Sequence, residues 1–214
     1  MLVQQIVNYR RLKMKVDIQD VLFWMDAIRN SEDRYRTLES FWKGQVNSKV
    51  WLIENLENIL NAYPKKIVIH GGWNGVLASL LFNSRILHIG HITSVDIDPK
   101  CHETASTINK RQEIEGRFVS VTADMTEYEY EADVVINTSC EHLTNGAYRR
   151  WLNLVPDNAL IVLQSNNYFE LEEHINCAAD LDDFKRMSGI NILWAGEYPT
   201  EKYTRYMLIG KKNV

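Results

Sequence analysis

The sequence predicts an α/β protein built on a doubly wound, mostly parallel sheet, with an N-terminal helical extension and a C-terminal antiparallel hairpin. Three observations carry this. From residue 65 onward, short apolar runs alternate with segments of helical spacing. Several of those runs ("IVI", "DVVI", "LIVL") are continuously apolar, as in strands covered on both faces. The chain closes on "NILWAGEYP" and "TRYMLIGKK", two strand-like segments joined by a short polar loop.

The elements follow in order. Residues 17–62 place Val21, Phe23, Met25, Ile28, Tyr35, Leu38, Phe41 and Trp42 near helical spacing, and Gly44 reads as a C-terminal stop. A second helix then starts with Asn47 or Ser48 as its cap, sets Trp51, Leu52, Leu56 and Ile59 on one face, and has Pro64 beyond its end. Residues 1–62 thus form the extension and 63–214 the sheet domain. Three of the six tryptophans lie in the extension, either as packing residues or lining a pocket. Strands are expected at 66–70, 92–98, 117–124, 132–139, 159–167, 191–199 and 204–212. Helices are expected at 74–84, from Pro99 to 114, at 144–155 and at 168–189, with Pro99 in the favoured first turn.

Composition narrows the function. A chain of 214 residues can bury one sizeable core, and 45% hydrophobic with 24% charged residues is ordinary for a globular protein. A formal charge of −4 argues against nucleic acid as the main partner, and the basic run at 10–15 reads as a solvated arm. No run approaches the ~18 apolar residues of a membrane span, and the N-terminus lacks the order of a signal peptide. A cytoplasmic protein with no membrane partner is expected. Three widely spaced cysteines suit reduced thiols. "CEH" at 140–142 and "CH" at 101–102 lack Cys-x-x-Cys or His-x-x-x-His spacing, so no metal is expected.

In an open doubly wound sheet, ligands sit beyond the carboxyl ends of the strands. Here those ends read "HGGWNG", "DID", "ADM" and "NTSCEH", polar or glycine-rich where each apolar run stops. Gly71, Gly72 and Gly75 suit either a tight turn or close approach of backbone to a ligand, and the helix after them points its amides at an anion. Asp96, at the tip of the second strand, can accept two hydroxyl hydrogen bonds from a ribose, while Asp98 fits the cap of the next helix. Neither Gly-x-Gly-x-x-Gly nor a Gly-x-x-x-x-Gly-Lys-Ser/Thr loop is present, which favours a ligand with ribose but no phosphate.

The order "VIHGGWNG … VDID … TADM … VVINTSCEHL … ALIVLQSNN" with a terminal hairpin resembles the class I S-adenosylmethionine-dependent methyltransferases, a Rossmann-like family. The resemblance covers residues ~65 to the C-terminus. It implies S-adenosylmethionine as cofactor, with Gly71 and Gly75 as the first and last glycines of the family's loop and Gly72, Trp73 and Ile97 beside it. Asp96 would hold the ribose, Asp124 the adenine amino group and Met125 the ring. Asn137, Thr138 and Ser139 would lie near the methionine moiety and the methyl. Ile69 and Trp73 depart from the family pattern, which has an acid and a glycine there.

The acceptor implied is a small molecule or a protein side chain, since the Pro-Pro-aromatic and Pro-Cys signatures of DNA methyltransferases are missing. Glu141 and His142 are the candidate catalytic residues if the acceptor must lose a proton; a plain capping or packing role is the alternative. Two other functions stay open, transfer of the cofactor's aminocarboxypropyl arm and a catalytically idle binding module.

Overall fold

The structure, a computed structural model, describes residues 14–60 and 66–213. Its strands are β1 Lys66–His70, β2 His91–Asp96, β3 Phe118–Thr122, β4 Val134–Asn137, β5 Leu160–Asn166, β6 Ile190–Pro199 and β7 Thr204–Lys212. They form one sheet in the order β3-β2-β1-β4-β5-β7-β6. The first five are parallel, and β7 runs antiparallel between β5 and β6. The chain winds outward from β1 to β3 and then crosses back to place β4 beside β1. The topological switch point, where such sheets open a crevice, therefore lies between β1 and β4.

The continuous apolar runs have the predicted cause, since β4 and β5 are buried along their whole lengths. Alternate residues enter opposite faces. Val134, Ile136, Leu160 and Val162 pack in one cluster, and Val135, Ile161 and Leu163 in another. The first cluster also takes Leu52, Ile53 and Leu56 from the extension, while the second is closed by Tyr148, Trp151 and Phe184.

The helices are α1 Ile18–Asn30, α2 Arg34–Glu39, α3 Lys43–Ile59, α4 Val76–Phe82, α5 Lys100–Ile108, α6 Lys110–Ile114, α7 Asn145–Leu154 and α8 Leu181–Ser188. Several boundaries differ from the sequence expectation, each for a local reason. The first long helix splits because the Asp33 carboxylate takes the Arg36 N–H at 2.9 Å and starts α2 afresh. Gly44 is no stop, and neither Asn47 nor Ser48 is a cap: α3 begins at Lys43 and all three lie inside it. The Pro99 helix starts at Lys100, whose N–H the Asp98 carboxylate accepts at 3.0 Å. It breaks at Asn109, which turns its side chain back to the carbonyls of Gly75 and Ala105.

The largest difference is at 168–180, where no helix forms. Asp180 caps α8 by accepting the Asp183 N–H at 2.7 Å, and the stretch before it is tied into an irregular loop. Its apolar residues Phe169 and Ile175 are exposed, so the helical spacing had no buried face to serve. Pro64 and residues 10–13 of the basic arm lie outside the described residues.

The extension docks through polar as well as apolar contacts. Asp20 of α1 is fully buried and takes a two-pronged ion pair from Arg111, at 2.9 and 2.7 Å, with Asn83 Nδ2 donating at 2.9 Å. Burial alone would raise its carboxyl pKa, but the hydrogen bonds from Arg111 and Asn83 outweigh it and hold the group below the ordinary value. Trp24 Nε1 donates to Ser79 Oγ at 2.9 Å, and Arg36 of α2 pairs with Asp98 at 2.6 Å. Among the described residues, no helix is long and apolar enough to cross a membrane.

Candidate active site

After β1 the chain turns through Gly71, Trp73 and Gly75, whose φ angles are +64°, +48° and +74°. A left-handed tryptophan is costly, by roughly 1–2 kcal/mol, and needs a partner to hold it. Asp96 provides one, its Oδ2 accepting the Trp73 N–H at 2.8 Å while Oδ1 accepts the Asp98 N–H at 3.0 Å. A carboxylate has about four lone-pair positions, so two remain for a ligand.

The glycines answer to their protein neighbours. A Cβ on Gly71 would overlap Ser139, one on Gly72 would overlap Ser94, and one on Gly75 would press on Ala105 and Asn109. Lacking side chains, they let the turn seat against the ends of β2 and β4 and against α5. Both the turn and the close approach are real, and the group approached is protein.

A cavity of about 1070 Å³ opens at the switch point. It gathers Gly71, Gly72, Trp73, Asp96, Thr138, Ser139, Glu141 and His142. The other predicted residues stand off it. Gly75 is buried under the turn, Ile97 is exposed at the β2 tip, and Asp124 accepts the Thr126 N–H at 2.8 Å. Asn137 is fully buried, accepts the Ser139 N–H at 3.0 Å, and points its amide at Met125 Sδ, 3.6 Å away. Asn137 thus shapes the β4 end from behind.

Glu141 lies in a single 3₁₀ turn, Cys140–His142, directly after β4. Its side chain is buried, with Oε1 accepting from Asn166 Nδ2 at 2.6 Å and 3.9 Å from Arg205 Nη2. Its Oε2 and the Arg205 Nε have no partner. His142 is exposed, and its Nδ1 lies 3.0 Å from the Glu173 carbonyl. Cys140 beside them is buried, and burial pushes its thiol well above the ordinary value, which leaves it inert as a nucleophile.

Several cavity residues were missed from the sequence. Lys49 of α3 lines it, bonded to Gln45 Oε1 at 2.9 Å; burial pushes its ammonium down to about 7, with the Arg205 charge adding to the effect. Gln164 and Arg205 reach in from β5 and β7, and His174 from the 168–180 loop. The readable signal for the first pair was a polar residue inside a buried strand run, "LIVLQS" and "TRYMLIG". His174 gave none, because its segment had been read as a helix.

A parallel sheet with an antiparallel terminal hairpin, and a crevice ringed by a glycine turn, an acid and a polar β4 end, defines the Rossmann-like methyltransferase fold. Solved structures agree. The chain is similar to the N-methyltransferase NodS from Bradyrhizobium japonicum WM9 in complex with S-adenosyl-L-homocysteine, with a TM-score of 0.64, 9% identity, and 90% of this chain and 99% of that chain covered. It is also similar to magnesium protoporphyrin IX methyltransferase (ChlM) from Synechocystis PCC 6803 with bound SAM, at TM-score 0.62 and 14% identity, covering 93% and 99% of the two chains. MtNAS in complex with MTA and tNA follows the same fold at TM-score 0.61 and 16% identity, over 91% of this chain and 70% of that one. No protein-family model matches the sequence, and no curated protein sequence matches it.

Proposed function

We propose that the protein is an S-adenosylmethionine-dependent methyltransferase acting on a small molecule or a protein side chain. One observation carries the reading: the Gly71–Gly75 turn, the preorganised Asp96 carboxylate and the Thr138–Ser139 end of β4 face a single cavity at the switch point. In it the cofactor ribose binds the free lone pairs of Asp96, the adenine extends past Ile97 toward Asp124 and Met125, and the sulfonium end reaches Thr138 and Ser139. Structural neighbours that hold SAM or S-adenosyl-L-homocysteine support this choice of cofactor.

The volume supports a second molecule. Small-molecule pockets run about 300–1000 Å³, and this one is at the top of that range. It is also lined by Trp42, Lys43 and Lys49 from the extension and by Tyr168, Tyr198 and Tyr203. These rings offer apolar area with polar tips for an organic acceptor. Glu141 and His142 line the same cavity and on this reading serve the acceptor, and methyl transfer itself needs chiefly in-line positioning.

Isothermal titration with S-adenosylmethionine and S-adenosylhomocysteine tests the reading. Binding at a one-to-one ratio is expected, and no binding would overturn it. Product analysis during turnover is expected to give adenosylhomocysteine; methylthioadenosine would assign aminocarboxypropyl transfer instead.

A further inference from the structure

Glu141, His142 and His174 bring one ligand atom each to within 4.8 Å of one another. No local sequence spacing announces this, because His174 arrives from 32 positions beyond His142, on the loop expected to be a helix. The loop is anchored for the purpose. Asn176 N–H donates to the Glu141 carbonyl at 2.9 Å and Ala178 N–H to the Asn166 carbonyl at 3.2 Å.

Each ligand is oriented by a neighbour. His142 Nδ1 lies 3.0 Å from the Glu173 carbonyl and His174 Nδ1 2.8 Å from the Tyr168 carbonyl. A carbonyl only accepts, so both Nδ1 atoms carry the proton and both Nε2 atoms keep a free lone pair. Metal-bound histidines are set up in this way. The Glu141 carboxylate is held through Oε1 by Asn166, with Arg205 Nη2 3.9 Å away, while its buried Oε2 has no hydrogen-bond partner. Leaving such an oxygen unpaired in the interior is costly, unless something that neutralises it binds there.

We propose that these three residues form a divalent metal site of the two-histidine, one-carboxylate type, opening onto the cavity. Two imidazoles select a borderline ion such as Zn²⁺ over Mn²⁺ and Mg²⁺, which favour oxygen ligands. Three protein ligands leave coordination positions open, and all three residues line the cavity. On the methyltransferase reading, the ion holds the acceptor's oxygen or nitrogen there and lowers its pKa. Ligands of a tetrahedral zinc at ~2.1 Å bonds stand about 3.4 Å apart, so the widest pair closes by roughly 1.4 Å on binding. His142, exposed on a one-turn helix, has room for that shift.

The test is calorimetric titration of chelator-treated full-length protein with ZnCl₂, MnCl₂ and MgCl₂, without S-adenosylmethionine. One Zn²⁺ per chain is expected, with Mn²⁺ and Mg²⁺ each at least tenfold weaker. His142→Ala and His174→Ala are each expected to weaken binding at least tenfold, and exposed His102→Ala to leave it unchanged. Glu141→Gln is judged only if circular dichroism shows it folded; the two histidine variants decide the matter otherwise. Hydrogen exchange of residues 168–178 is expected to slow on Zn²⁺ addition. No saturable binding by the wild type, or wild-type affinity in both histidine variants, overturns the site. Failure to bind S-adenosylmethionine with metal binding intact would overturn the methyltransferase reading alone.

Discussion

Asp96 illustrates how one side chain can serve the fold and still line the cavity. It holds a left-handed Trp73 by its backbone and still presents lone pairs to the cavity. Asp96→Ala is expected to weaken S-adenosylmethionine by ten- to a hundredfold, the ~1.5–3 kcal/mol of hydrogen bonds to a charged group, measured by titration calorimetry. Gly71→Ala places a Cβ on Ser139 in a backbone region costing roughly 1–2 kcal/mol, so both melting temperature and cofactor affinity should fall. Adding Ser139→Gly removes the overlapping atoms and should recover part of the stability; no recovery would show that backbone strain alone is at work. His70, at the end of β1, is fully buried between Tyr130 and Trp151 with neither ring nitrogen bonded. Burial pushes its pKa from 6.5 down to about 3, so the folded protein keeps it neutral where the unfolded chain protonates it. Stability from this group is therefore full above pH ~6.5 and falls by up to about 1.4 kcal/mol per unit as pH drops toward 3. His70→Phe should flatten that acid slope in denaturant titrations at pH 7 and pH 5; an unchanged slope would remove His70 as its source.

At the scale of elements, the joint between α1 and the α4–α6 side of the sheet rests on a buried charge. Asp20→Asn leaves Arg111 without its carboxylate and should cost about 3 kcal/mol, lowering the melting temperature by roughly 6–12 °C. The strands were legible because continuous apolar runs have one explanation, burial on both faces, and β1, β4 and β5 fall where those runs do. Helix ends were less so, because they depend on side chains such as Asp33 and Asn109 choosing a backbone partner. The 168–180 loop was illegible for a further reason: its order comes from partners far along the chain, Glu141 and Asn166. The same fact divides the candidate site. Strand-end residues Asp96, Ser139 and Glu141 could be read from where apolar runs stop, whereas Lys49 and His174 reach the cavity from elements whose packing the local sequence does not encode.

The whole molecule behaves as one cooperative unit only if the extension and the sheet share a core. Leu52, Ile53 and Leu56 of α3 are buried with Ile67, Ile69 and Met207 of the sheet, and Ala27 of α1 joins the same cluster. Meanwhile α2 and the start of α3 rim the cavity through Arg36, Trp42, Lys43 and Lys49. Core packing and cavity lining thus fall on different parts of the extension, and two truncations separate them. A chain starting after residue 59 loses α3 and exposes the apolar side of β1 and α4; at ~25 cal/mol per Å² three buried large side chains alone forfeit several kcal/mol, comparable with the whole stability of a domain. That protein is expected to be insoluble. A chain starting at Lys43 keeps α3 and loses α1 and α2, with the Asp20–Arg111 and Arg36–Asp98 pairs. It should fold at a lower melting temperature and bind S-adenosylmethionine, because Asp96, the glycine turn and the β4 end remain. Turnover should drop, because one wall of the acceptor chamber is gone. Full turnover in that truncation would show that α1 and α2 serve stability alone, and a soluble, cofactor-binding chain starting after residue 59 would show that the sheet folds without the extension.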